Sequence, residues 1–159
     1  MRIYRYLLSC FLLLIPVLLW KLIFTPYLPE VFRNADLWNN TPRLIKWGEY
    51  LLGVLVFILP FFMPLQVKSK IQRTGLSVYL TGLVVFLFAW RPLILYPDGS
   101  WSNSLMGFIV PDIALLMVFT GIGLIGKRLF FNVRYHSLVY ILISFVYILF
   151  HSIHFFVVY

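Results

Sequence analysis

Five apolar stretches, each of 19 to 24 residues and none holding more than two Lys, Arg, Asp or Glu, leave this chain almost no choice of solvent. They cover 3–24, 47–65, 75–96, 107–125 and 136–159. About 20 apolar residues in a helix cross the ~30 Å hydrocarbon core of a bilayer. Lipid offers backbone groups no partner, so a spanning segment must satisfy its own N–H and C=O groups, and a helix does that within one segment. Of the 159 residues 62% are hydrophobic and 11% charged, where a soluble domain has about half and about a quarter. The sequence therefore predicts an all-α fold: a polytopic integral membrane helix bundle of five transmembrane helices, or four if one fails to span. The whole of 1–159 reads as one transmembrane domain, with an interfacial segment at 25–46 between the first two spans. Its first partner is the lipid bilayer.

Charge placement predicts direction. With the N-terminus in the cytoplasm, the inward segments hold Arg2, Arg5, Lys68, Lys70, Arg73, Lys127, Arg128 and Arg134. The acids Glu30, Asp36, Glu49, Asp98 and Asp112 fall on or near the outer side. Lys and Arg concentrate in cytoplasmic loops, so the expected location is the cell membrane, multi-pass, N-terminus cytoplasmic and C-terminus extracytoplasmic. The same rule accounts for the net charge of +8 without a nucleic-acid partner. Arg2 and Arg5 before an apolar run also fit a signal peptide, but "LLIPVLLWKLIFTPYLP" has no small-x-small cleavage site, so an uncleaved first span is expected. Cys10 is the single cysteine, which excludes an intrachain disulfide and a thiolate metal cluster.

In the 25–46 link, Pro29 followed by Glu30 suits a helix start, and Val31, Phe32, Ala35, Leu37 and Trp38 suit the membrane surface. Asn39 to Thr41 forms a formal glycosylation sequon. The glycines of "GIGLIG" (Gly121, Gly123, Gly126) end a membrane segment and follow no strand, so close helix packing is expected rather than a dinucleotide site.

Arg91 precedes Tyr96 by five residues, and Asp112 follows Gly107 by five. The loop "PDGSWSNSLM" between them is short and carries an Asp98-Gly99 turn signal, so the third and fourth spans are expected to be antiparallel neighbours. Arg91 and Asp112 would then meet at similar depth. Three readings stay open: Arg91 snorkels to outer phosphates beside Trp90 and Trp101 while Asp112 supports a helix start, the two form an ion pair, or they belong to a functional site. Glu49 lies in the first turn of the second span. Lys21, near the outer end of the first, is expected to snorkel.

The last span carries a pattern. His136, Tyr140, Ser144, Tyr147, His151 and His154 are spaced 4, 4, 3, 4 and 3, which at 100° per residue confines them to an arc of about 80°. Such a stripe should face the bundle, as interhelical hydrogen bonds or as a hydrated path for protons or ligand. With this topology His151 and His154 reach the leaflet of Glu49, Arg91 and Asp112, and these five form the candidate binding cluster. His151 and His154 at i, i+3 beside carboxylates resemble zinc or iron ligands. There is no HExxH, and Arg91 would repel a cation, so neither a metal nor any other cofactor is assigned. Ser152 adjoins His151, but no G-x-S-x-G elbow surrounds it.

Lys21 ending the first span, the surface segment after it and a second span opening "WGEYLLGVLVFILP" resemble the DoxX-like group of small membrane proteins. The likeness covers the first 66 residues. A fifth span departs from that group's four, and no activity follows from the resemblance. The function expected is a non-enzymatic subunit or accessory protein of a membrane complex, with a membrane-protein partner or a homo-oligomer. The alternatives are a small transporter or proton-conducting protein using the last-span stripe, and an intramembrane enzyme acting on a lipid or quinone.

Overall fold

The computed structural model describes residues 8–28, 41–131 and 135–158, with 154–158 as backbone. Its α-helices are α1 (Ile15–Phe24), α2 (Arg43–Ile58), α3 (Lys70–Leu95), α4 (Leu105–Ile125) and α5 (Ser137–Val158). Short 3-10 turns extend α1 at both ends (Cys10–Leu13, Thr25–Tyr27) and α2 at its end (Leu59–Phe62). Four helical stretches are long and apolar enough to cross a membrane: Cys10–Tyr27, Arg43–Phe62, Lys70–Leu95 and Leu105–Ile125. The apolar Ser137–Ile153 of α5 is shorter, although its backbone helix continues for 22 residues. The protein is an all-helical membrane bundle; among the described residues the β-structure is one bridge, Ser9 to Pro64.

Helix limits depart from the apolar limits where capping chemistry overrides hydropathy. α3 begins at Lys70, five residues before the apolar run, because Ser69 and Gln72 form a reciprocal capping box. The S-x-x-Q pattern is visible in the sequence. α2 begins at Arg43, directly after Pro42. Its α-geometry ends at Ile58 because Pro60 has no N–H to continue the ladder. Within the first apolar run, Leu8 to Cys10 pair with Met63 to Leu65 through a bridge at Ser9, directly before the 3-10 turn. Cys10 N–H donates to Met63 O at 2.8 Å and Leu65 N–H to Leu8 O at 2.9 Å. Residues 3–7 lie outside the described residues, as do 29–40, with Pro29, Glu30, the surface pattern and Asn39 of the sequon.

Helix direction alternates through the bundle. At one end lie Cys10, Met63, Gln72 and Ile125, tied by backbone bonds and by Gln72 Nε2 donating to Ile125 O at 3.0 Å. The exposed Lys68, Lys70 and Arg73 and, close after α4, Lys127 and Arg128 gather here: the basic end. The other end carries Glu49, Asp98 and Asp112.

The α3–α4 pair is the tightest contact, and the reason is the absence of side chains. Gly75, Gly82 and Ala89 recur every seven residues on α3, as do Gly107, Ala114 and Gly121 on α4. A Cβ on Gly121 would sit 2.6 Å from Gly75 O and Tyr79 N, and one on Gly82 2.8 Å from Val118 N and 2.9 Å from Ala114 O. Backbone meets backbone there, as small residues permit in membranes, where dispersion and not hydrophobic expulsion drives helix association. The antiparallel neighbours expected from the short loop are present, with Gly99 N–H closing its turn on Tyr96 O at 3.0 Å. Around this pair the core holds Phe86, Leu93, Leu115, Val118, Phe119 and Ile122. On the far side of α4 packs α5, which also packs on α2.

Candidate functional site

The polar stripe of α5 turns inward over its middle. Tyr140 and Ser144 are fully buried and Tyr147 nearly so. Tyr140 O–H donates to Val56 O at 3.2 Å, which ties the phenol to the stretch of α2 where the helix ladder is about to break. Ser144 lies beside that hydroxyl. Tyr147 packs edge-on to Phe57 with ring centroids 6.3 Å apart, in space left by Gly53, whose added Cβ would meet the ring at 3.1 Å. His136 departs from the stripe: it is exposed just before α5, where Nδ1 accepts from Leu138 N–H at 3.3 Å. An imidazole before the first turn meets orphan N–H groups, so capping chemistry claims it.

At the other end of the stripe, the structure brings three of the five expected cluster residues together. His151 Nδ1 stands 2.7 Å from Glu49 Oε1 and its Nε2 3.8 Å from Asp112 Oδ1. With Glu49 ionised, its carboxylate only accepts, and the imidazole is then the donor from Nδ1. Ser152 O–H donates to the other Asp112 oxygen, Oδ2, at 2.6 Å. The Tyr147 ring lies nearly parallel to the imidazole, 16° between planes and 5.9 Å between centroids, which fixes its orientation. Glu49 is 7% exposed; His151 and Asp112 are half-buried. One imidazole thus links acids from α2 and α4 to α5.

Lys21 and Arg91 differ in their surroundings. Lys21 is half-buried on α1, within the fields of Asp112 and, more weakly, Glu49. Arg91 is exposed, its guanidinium 6.0 Å from the Phe88 ring centroid. Among the described residues it makes no ion pair with Asp112, so of the three readings the ion pair is not formed. The reason is rotational: the inward face of α3 is taken by Gly82, Phe86, Ala89, Trp90 and Leu93, and position 91 falls outside that arc at 100° per residue. Trp90, read as an interface anchor, is in the core against Phe86. His154 has no described side chain.

The assembled cluster draws two carboxylates, an imidazole and a hydroxyl from α2, α4 and α5. Its chemistry is charge-balancing and proton-sharing: an imidazole held between two carboxylates can pass or hold a proton. Sequence reasoning named Ser152 only as a nucleophile and Lys21 only as a snorkelling cation. Glu49 shares its buried face of α2 with Gly53 and Val56, and Asp112 follows the buried Pro111 on α4, but which helix they meet is not written in either segment. No family model, curated protein or solved structure matches the chain, so the DoxX-like resemblance is carried no further.

Proposed function

We propose that the chain is a non-enzymatic subunit or accessory protein of a membrane complex, and that the Glu49–His151–Asp112 cluster holds α2, α4 and α5 together at the end opposite the basic one. The supporting observation is the 2.7 Å contact of His151 with Glu49, together with Ser152 on Asp112. These polar groups join helices: Glu49 of α2 and Asp112 of α4 both meet side chains of α5. Large apolar side chains are exposed on every helix, among them Leu22, Leu51, Leu80, Ile113 and Leu142, which suits lipid and partner helices. Crosslinking in native membranes, followed by purification in mild detergent, tests the reading. A discrete adduct with a second chain or another copy is expected; a monomer with no adduct overturns it. By positive-inside bias we place the basic end in the cytoplasm, which puts the C-terminal end of α5 on the extracytoplasmic side.

A second reading, proton conduction, draws on the imidazole between two carboxylates. It requires that His151→Gln and Tyr147→Phe slow proton flux into liposomes; unchanged flux removes it. An enzyme acting on a lipid or quinone would need an anion-holding cation beside the histidine, a place that Lys21 and not Arg91 approaches.

A further inference from the structure

Outside the cluster, Arg91 stands at the edge of a groove of about 640 Å³ between α3 and α4, well inside the ~300–1,000 Å³ of small-ligand sites. Its walls are Val84, Phe88, Ala89 and Pro92 of α3, Trp101 of the loop and Val110 of α4. The lining is apolar from Val84 to Pro92, about 12 Å along the helix at 1.5 Å per residue. Arg91 is one turn from the end of α3, with its guanidinium over Phe88, itself a wall of the groove. Around it the exposed side chains of α3 are Leu80, Thr81, Val84, Phe88 and Leu95, a mostly apolar, lipid-facing surface on which Arg91 is the cation.

We propose that this groove is a seat for one glycerophospholipid, with an acyl chain along Val84 to Pro92, the phosphate on Arg91 and Trp101 at the level of the glycerol. The argument is one of charge and shape. A guanidinium one turn below a helix end lacks a counter-ion among the described residues, and a phosphodiester at that depth supplies one in the bidentate geometry Arg favours. Asp98, exposed at the tip of the same loop, repels a second negative group, so a single phosphodiester fits better than a headgroup with additional phosphates. The seat is independent of the cluster on the far side of α4.

Native mass spectrometry of the full chain, delipidated and then titrated with phosphatidylglycerol, phosphatidylcholine or a phosphate-free glycolipid, tests it. Both phospholipids should be retained at least tenfold better than the glycolipid. Arg91→Gln should reduce that retention about tenfold and Arg91→Lys less, as expected when a bidentate contact becomes a point charge. Val84→Trp, at an exposed position, fills the groove and should reduce retention of every lipid while melting like the parent. Equal retention of glycolipid, or retention unaffected by Arg91→Gln and Val84→Trp together, overturns the proposal. So does a dimer broken by Arg91→Gln, since a second copy would then be the occupant. Inorganic phosphate displacing the lipid at millimolar concentration would show an anion site without a lipid seat, and equally overturns it.

Discussion

The two faces of α4 are built on opposite principles. Toward α3 it offers Gly107, Ala114 and Gly121, and the helices close until a Cβ on Gly121 would lie 2.6 Å from Gly75 O. Toward α5 it offers Asp112, which takes Ser152 at 2.6 Å and faces His151 at 3.8 Å. The first contact holds by what is missing, with backbone atoms and the Tyr79 Cβ as the neighbours of Gly121. The second holds by side chains that must meet in the right protonation state and orientation. On the α3–α4 side added volume at Gly82 or Gly121 meets backbone, whereas on the α2–α4–α5 side Gly53 and Gly123 face side chains and polar contacts add an intolerance of lost partners.

The largest expected effect breaks the first face. Gly121→Leu drives a side chain into backbone and should destabilise by about 3 kcal/mol or more, the upper end of overpacking costs. Thr81→Leu, exposed on α3, should be close to neutral. Denaturant unfolding in detergent micelles measures both; equal tolerance of the two would mean the helices do not approach so closely. The second prediction separates the faces by coupling. In a double-mutant cycle Glu49→Gln and His151→Gln should couple by about 1–2 kcal/mol, as contacting residues do, whereas Arg91→Gln and Asp112→Asn should add to within about 0.5 kcal/mol. Coupling between Arg91 and Asp112 would restore the ion pair that the structure does not form.

The smallest effect lies at the basic end. Tyr135, before α5, reaches Met63 Sδ at 3.9 Å, and burial, helped by the nearby Cys10 sulfur, pushes its phenol above the ordinary value of 10. A raised folded-state value means that the folded protein holds this proton when the unfolded chain has released it. Its stabilising share is therefore complete below about pH 10 and declines as pH rises further. Tyr135→Phe should remove that alkaline decline; a thermal-melt series across pH 9 to 11 that is identical for parent and variant would refute it.

Much of this architecture was legible. Apolar run lengths predicted the membrane helices, the short Asp98–Gly99 loop predicted the α3–α4 hairpin, and the spacing of Tyr140, Ser144, Tyr147 and His151 predicted the inward stripe. Gly75, Gly82 and Ala89 against Gly107, Ala114 and Gly121 form a seven-residue pattern open to the same kind of reading, although it takes two helices to make it meaningful. The site was legible in membership more than in pairing: Glu49, Asp112 and His151 meet, while Arg91 does not join them.

What the sequence determined by itself is the solvent, the helices and the face of α5 that turns inward, because periodicity and hydropathy act within one segment. What only the tertiary structure decided is which charge meets which. Lys21 and Arg91 are both cations near helix ends in the half of the bundle that holds Glu49, Asp98 and Asp112, and nothing local distinguishes them. The rotation of α3, fixed by backbone contact through Gly75 and Gly82, turns Arg91 outward, and the packing of α1 leaves Lys21 beside the two acids. The rotation of a helix about its axis, set by residues without side chains, chooses the partners of those that have them.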